Sequence, residues 1–571
     1  MTRTSVSELS SQESISPHDP VAVAIHLRPA VREEADRHFS PSDLQKNWDV
    51  ARHPRVARML RSRRFQFALI VPNQIIFWVV ILTGLLGTVV PGLNFGTAIT
   101  WYIWFCLVFV MMVVVGRAWC AMCPFGGFAE WVQRGSLWKR TQHRLGLGRK
   151  LPEPIARYGF LLSVGTFLLL TWIEEFFNIA GPGNPWATSF MVLGIVASAL
   201  LFFLIFERRT FCRYICPLSA LIGTVGAMGS VAGFRTRDRQ ICLDCETKDC
   251  MRGGTNGYGC PWYTWPGSAD SNLACGLCSE CYKSCPEDNI GLFLQKPLTS
   301  VVAPTRRRAD IAWAVAALWG LVIFQQFNAT NVFASIDTWM NRVTHLAYPN
   351  PIDYIMIIGL VTLLMAAIVK GIEHVLARDD LEVNEGVHIA AYPEPSVNAL
   401  AFSSHTMSQG QGSVLHMLAV DPVGPSMHAE LPAAANTNFI TRTSRFRMYF
   451  LPLMYGLIPV VGADYFARQL PKFFEHATRI VPAVGHLFGA GSTKSMLYHT
   501  HILSIGGIVN VQLIVIALGT AASMWASWKI SNRELILISR HPIAARSIAL
   551  ALPLACGLVA GVLYIIIHAA P

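Results

Sequence analysis

The chain has 571 residues, of which 53% are hydrophobic and 14% charged, against roughly 25% charged in an ordinary soluble domain. With a mean hydropathy of +0.41, too little polar surface exists to cover a water-exposed fold, so the class is membrane protein. Collagen-like, disordered and nucleic-acid-coating classes are excluded. The net charge of +11 then reads as basic flanks on one membrane face.

Residues 1–66 read as a short cytoplasmic tail. They are polar and Ser-rich, without the apolar stretch and small-residue cleavage site of a secretory leader. Apolar runs long enough to span a bilayer need roughly 20 residues each. Nine are predicted, at about 67–91, 98–115, 158–179, 186–206, 311–330, 352–376, 447–467, 500–528 and 548–569. The fold class is therefore mainly α: a polytopic helical membrane protein with a cysteine-rich insert.

The predicted division is a four-span bundle over 67–232, the insert over 233–295, a two-span segment over 305–377 and a C-terminal bundle over 444–571. Residues 378–443, poor in apolar runs and scattered with Gly, Pro, Ser and Ala, read as a cytoplasmic linker. Basic residues crowd before span one (Arg52, Arg55, Arg58, Arg61, Arg63, Arg64), after span two (Arg134, Lys139, Arg140, Arg144, Arg149, Lys150, Arg157) and before span five (Arg306, Arg307, Arg308). The loop near 92–97 has no basic residue, and the loop after span three carries Glu174 and Glu175. By the positive-inside rule the tail and the insert are cytoplasmic and the C-terminus lies outside. Arg468, Lys472, Arg479 and Lys494 before span eight run against that last part.

Of 14 cysteines, all but Cys106 and Cys556 fall between Cys120 and Cys285. A disulfide framework belongs to small secreted chains, so metal or cluster binding fits better. Cys275, Cys278, Cys281 and Cys285-Pro286 follow C-x2-C-x2-C-x3-C-P, the bacterial ferredoxin run, whose fourth cysteine serves the other cluster of a pair. Before it stand Cys242, Cys245, Cys250 and Cys260-Pro261. Exchange of the distal ligands assigns Cys242, Cys245, Cys250 and Cys285 to one [4Fe–4S] cluster, and Cys260, Cys275, Cys278 and Cys281 to the other. Paired zinc knuckles are the competing reading of the C-x2-C starts.

Two further pairs sit at predicted span ends: Cys120 and Cys123-Pro124 after span two, Cys212 and Cys216-Pro217 after span four. They read as a metal, cluster or redox-dithiol site, with Arg117 and Arg213 beside them to offset thiolate charge. Reduced thiols packed against the insert are the plainer alternative.

On these motifs the chain resembles the membrane polyferredoxins of the NapH, NosR and CcoG type, and its insert is similar to that of FesM-type membrane iron–sulfur proteins. The resemblance covers about 67–295. It implies a protein of the bacterial cytoplasmic membrane, working in a complex. Such a protein passes electrons between a soluble carrier and quinone or a membrane redox partner, or assists assembly of a metalloenzyme. Two [4Fe–4S] clusters are implied, with a third cluster or copper at the membrane edge left open. The first membrane-edge motif departs from the family, having C-x2-C-P where C-x3-C-P is usual.

Outer-end histidines His345, His476, His486, His499 and His501 raise haem, but His499 and His501 are two residues apart and point to different sides of a helix, so haem is not favoured. Lys370, Glu373 and His374 read as snorkelling groups. Asp464, Glu174 and Glu175 are functional candidates by their depth, with a place at the wet interface as the plainer alternative. No P-loop, dinucleotide fingerprint or H-E-x-x-H accompanies these features, so nucleic acid, nucleotides and a catalytic residue set are not expected. Copper handling through cluster-fed thiols is the rival function.

Overall fold

The computed structural model describes residues 49–138, 145–152, 155–156, 158–179, 184–229, 231–267, 269–303, 307–346, 351–377 and 445–569. The tail up to 48 and the 378–443 linker thus lie outside the described residues. Nine helices among those described are long and apolar enough to cross a membrane: Arg63–Leu86, Phe95–Arg134, Gly159–Phe176, Pro185–Ile205, Ala309–Phe327, Pro351–Leu376, Arg445–Leu487, Ile505–Ile538 and Pro542–His568. They agree with the predicted runs, except that the second, seventh and eighth extend further.

The first span begins at Ser62, whose side chain accepts from the Phe65 amide, satisfying one orphan donor of the helix start. Ile75, Leu82, Leu363 and Ile565 expose half or more of their surface. Apolar faces of that kind suit lipid and not water. Span seven is the reverse, almost wholly enclosed by its neighbours. One apolar core runs from Phe109 and Phe167 in the first bundle to Tyr354 and Tyr465 in the second. Tyr465 stacks on Phe109 at 5.2 Å between ring centres. The two bundles are therefore packed as one body.

A helix over Asn331–Thr344 follows span five and was not expected. Its apolar residues recur at helical spacing, and Val332, Trp339 and Val343 stay exposed while Phe333 and Met340 are buried. An amphipathic helix of this sort lies along an interface and does not cross it. Span seven continues to His476, and a short helix over Ile480–Leu487 follows it.

Both predicted cysteine-pair motifs break their spans in the same way. Span two runs helical over Phe105–Val115, then turns at Gly116, whose φ of +61° favours glycine. Cys123 is extended (φ −63°, ψ 128°) and Pro124 starts a helix over Pro124–Arg134. Span four ends at Ile205; Cys216 is extended (φ −54°, ψ 119°) and Pro217 starts a helix over Pro217–Val225. A residue before proline is driven out of the helical region by the ring, and proline itself suits the first helical position. Cys-Pro is thus a joint that sets a thiol at a helix start.

The insert is closed by two antiparallel strands, β1 (Ala232–Thr236) and β2 (Ile290–Leu294), with Phe234 opposite Leu292. Their pairing brings its two ends together over spans four and five. Asp49 clamps it from the N-terminal side, accepting from the Leu292 amide at 3.0 Å and from Arg237 Nε at 2.9 Å.

Candidate metal centres

The twelve motif cysteines fall into three groups of four. Cys242 lies on a short helix over Arg239–Asp244, which Cys245 ends. Cys250 lies on the turn Asp249–Arg252, and Cys285 ends the helix Glu280–Ser284. These four thiols line one pocket beside Lys248 and Trp265, and Cys250 feels the charge of the other three. The second group is Cys260, Cys275, Cys278 and Cys281, the last within electrostatic reach of the first three. The third is Cys120, Cys123, Cys212 and Cys216, where Cys212 is in reach of all its companions. Cys285 thus stands near Cys242, Cys245 and Cys250, and Cys260 near Cys275, Cys278 and Cys281.

All four Cys-Pro thiols meet the amide two residues downstream, with a second amide at the third residue in the membrane-edge pair and at the fourth in the insert pair. Cys123 is met by the amides of Phe125 and Gly126, and Cys216 by those of Leu218 and Ser219. Cys260 is met by Trp262 and Thr264, and Cys285 by Glu287 and Asn289. The Thr264 amide lies 3.3 Å from Cys260 Sγ and the Asn289 amide 3.4 Å from Cys285 Sγ. Backbone donors two to four residues downstream favour a thiolate and tune any metal it holds. Cys242 gains contacts from Thr236 Oγ1 at 3.0 Å and Asn289 Nδ2 at 3.4 Å.

Burial pushes up several of the thiols that lie outside the spans. Cys260 rises to about 11, and Cys250, Cys278 and Cys216 to about 12. Burial also raises Cys212 and Cys281 well above the usual thiol range. Near neutral pH they carry protons, so metal loading must displace them. Thiol-only donors, in runs each closed by Cys-Pro, are the donor set of [4Fe–4S] clusters.

The groups adjoin one another. The Cys260 amide donates to the Cys250 carbonyl at 2.8 Å, linking the first to the second. Between the second and the membrane edge lies Arg209, 4% exposed. It donates to the Cys120 carbonyl and to Glu130 Oε2, both at 2.6 Å, and it is in electrostatic reach of Cys212 and Cys278. Arg208 donates to the Cys260 carbonyl at 2.7 Å. Arg117 and Arg213, expected to offset the membrane-edge thiols, turn elsewhere, and the cation in reach of Cys123 and Cys212 is Arg209. Arg117 bonds the Leu273 carbonyl at 2.8 Å and covers Trp262, while Arg213 lies over Tyr214 and Tyr263. Sequence reasoning missed Arg209 and Glu130; the signal was a lone acid amid the basic stretch after span two.

The other sequence candidates scatter. His476 packs edge-on against Tyr102; the rings of His499, His501 and His486 meet backbone carbonyls of Thr493, Glu475 and Gly491. His345 ends the Asn331–Thr344 helix. Lys370 pairs with Glu373 at 2.7 Å. Arg468 and Lys472, which had run against the topology, pair with Glu175 and Glu174 at 3.5 Å each, so their positive charge is locally cancelled. Asp464 is not at a wet interface: it is fully buried.

A family model described as "4Fe-4S binding domain" matches residues 97–144 and 188–233. Each stretch contains one membrane-edge pair and the Cys-Pro joint after its span; the run over 242–285 lies outside the match. Among curated proteins and among solved structures, none matches the chain. The match supports an iron–sulfur protein, and the nine helices are compatible with a multi-pass membrane protein.

Proposed function

We propose that this is an integral membrane electron-transfer protein of the polyferredoxin kind. Its insert, ferredoxin-like in its ligand pattern, exchanges electrons with a soluble carrier, and its membrane part exchanges them with quinone or a membrane redox partner. Cys242, Cys245, Cys250 and Cys285 hold one [4Fe–4S] cluster and Cys260, Cys275, Cys278 and Cys281 a second. Cys120, Cys123, Cys212 and Cys216 hold a third, on the strength of the shared Cys-Pro amide contact and the family match. When bound, such clusters supply one-electron transfer at potentials set by their surroundings. The chain positions them, screens their charge with Arg117, Arg208 and Arg209, and keeps water from the inner two by burial.

The observation that carries the reading is the order of the groups. They run from the outer pocket of the insert, across the Cys250–Cys260 contact, past Arg209 to the ends of two spans. The insert side also collects Arg52, Arg55, Arg58, Arg61 and Arg63, while Arg468 and Lys472 opposite are neutralised by Glu175 and Glu174. That charge pattern supports a cytoplasmic insert in a bacterial inner membrane.

The test is anaerobic reduction of detergent-solubilised protein followed by addition of a short-chain quinone. Bleaching of the visible absorption on reduction, and its return with quinone, is the expected result. Copper at stoichiometric level, with no reoxidation by quinone, would favour the metal-handling alternative.

A further inference from the structure

Away from the cysteines, span seven carries Asp464, Arg468 and Lys472 one helical turn apart, on one face. Exposure rises along the row. Asp464 is 0% exposed. Arg468 and its partner Glu175 are 29% and 28% exposed, and Lys472 and its partner Glu174 are 38% and 21%. The row climbs from the interior toward the face opposite the insert.

Asp464 is incompletely satisfied. Its Oδ1 accepts from Gln326 Nε2 at 2.6 Å. Its Oδ2 and Gln326 Oε1, both buried, meet no donor among the described residues. Two buried acceptors without donors each cost desolvation, and one proton on Oδ2 supplies the missing donor. The Tyr564 hydroxyl stands beside both side chains and donates to the Asp464 carbonyl at 3.4 Å. Span nine also brings Cys556. Span five contributes the neutral Gln325, whose carbonyl takes Arg468 Nη1 at 2.7 Å. Span eight contributes the neutral Gln512, bonded to the Ala467 carbonyl at 3.0 Å. Span six brings Tyr354, bonded to the Leu168 carbonyl of span three; Tyr465 faces Phe109 of span two and Phe167 of span three. Arg468 is the cation in reach of Asp464.

We propose that Asp464 is a proton-exchanging site served from the face opposite the insert through Glu175 and Glu174. In the resting arrangement Asp464 is neutral and Arg468 pairs with Glu175. When the proton leaves Asp464 for the Glu175 carboxylate, Arg468 changes partner from Glu175 to Asp464. One O–H bond breaks, one forms, and the buried charge is unchanged, which keeps the step affordable in a medium that penalises lone ions. Glu175 then gives the proton to Glu174 or to water. This site is independent of which redox partner the cysteines serve.

The test is infrared spectroscopy of the full chain in nanodiscs, read at the carbonyl stretch of protonated carboxyl groups as pH is raised. One such band is expected to shrink with rising pH in the native protein and to be missing in Asp464→Asn. In Glu175→Gln the band is expected to persist with slowed hydrogen–deuterium exchange. Should Asp464→Asn fail to fold, Gln326→Leu serves, since loss of the donated hydrogen bond must shift the same band. No band removed or shifted by either variant, or a band that ignores pH and exchanges equally fast in Glu175→Gln, overturns the proposal.

Discussion

The Arg209 guanidinium bonds the Glu130 carboxylate at 2.6 Å, and this buried pair lies within reach of two cysteine groups. Burial works against the Arg209 charge, but Glu130 more than offsets it and holds its pKa above the ordinary arginine value, with Cys212 and Cys278 adding to the effect. A fixed cation here favours the more negative, reduced state of any centre held by either group. Arg209→Gln is expected to move the midpoints of the two inner centres to more negative potential, on the order of tens of millivolts at the dielectric of a protein interior. Arg209→Lys should restore much of the shift. Redox titration followed by electron paramagnetic resonance checks both.

Exchange of distal ligands makes a specific expectation. Cys285→Ser should damage the centre built on Cys242, Cys245 and Cys250, although Cys285 belongs by sequence to the later run. Cys260→Ser should damage the centre of the later run. Each variant is expected to lose about four irons, and the spectra lost should differ between the two. Iron analysis with Mössbauer spectroscopy decides.

Gly126 lies against the membrane-edge group. A Cβ placed there would stand 3.3 Å from Cys212 Sγ, tighter than ordinary contact. In an exposed helix Gly→Ala stabilises by roughly 0.5–1 kcal/mol, so the sign here turns on whether the thiol can give way. Gly126→Ala is expected to lower iron bound at Cys120, Cys123, Cys212 and Cys216 while leaving the insert centres spectroscopically unchanged. Gly165→Ala, with open space around its Cβ, is the control.

Glu280 docks the insert onto the first span. It pairs with Lys283 at 3.1 Å and Arg63 at 3.4 Å and accepts from the Tyr258 amide at 2.9 Å. Burial raises its pKa, but Lys283, Arg134 and Arg63 outweigh that and hold the carboxyl at about 2. A depressed carboxyl stabilises the fold above its unfolded pKa of about 4.3 and loses that contribution as pH falls from there through about 2. Glu280→Gln should therefore cost about 3 kcal/mol near neutral pH, as removal of one partner from a buried pair does. The gap between native and variant should narrow as the buffer is taken below about pH 4. Thermal unfolding across that range measures it.

Much of the architecture was legible because its determinants are local. Apolar length marks a span whatever it packs against, so the nine runs were found; the ends of spans seven and eight were not, since polar residues such as Arg468 and Glu534 continue those helices once partners neutralise them. The Asn331–Thr344 helix was missed because its apolar residues are interleaved with polar ones, a pattern that a search for span-length apolar runs passes over. The cysteine runs were legible in their spacing, because a ligand run encodes its own turn. Arg209 and Glu130 are 79 positions apart, and nothing in either neighbourhood announces the pair. The burial of Asp464 was not legible because depth within span seven depends on neighbours, and Gln326 and Tyr564 close over it.

The central claim is that three groups of four thiols each hold a [4Fe–4S] cluster. Iron and acid-labile sulfide per polypeptide, with copper, zinc and haem, on anaerobically purified full-length protein tests it most directly. About twelve of each of iron and sulfide, falling to about eight in a variant with Cys120 and Cys123 both changed to Ser, is the expected result. Zinc without sulfide would contradict the account outright, and iron that is unchanged in that double variant would contradict the third centre.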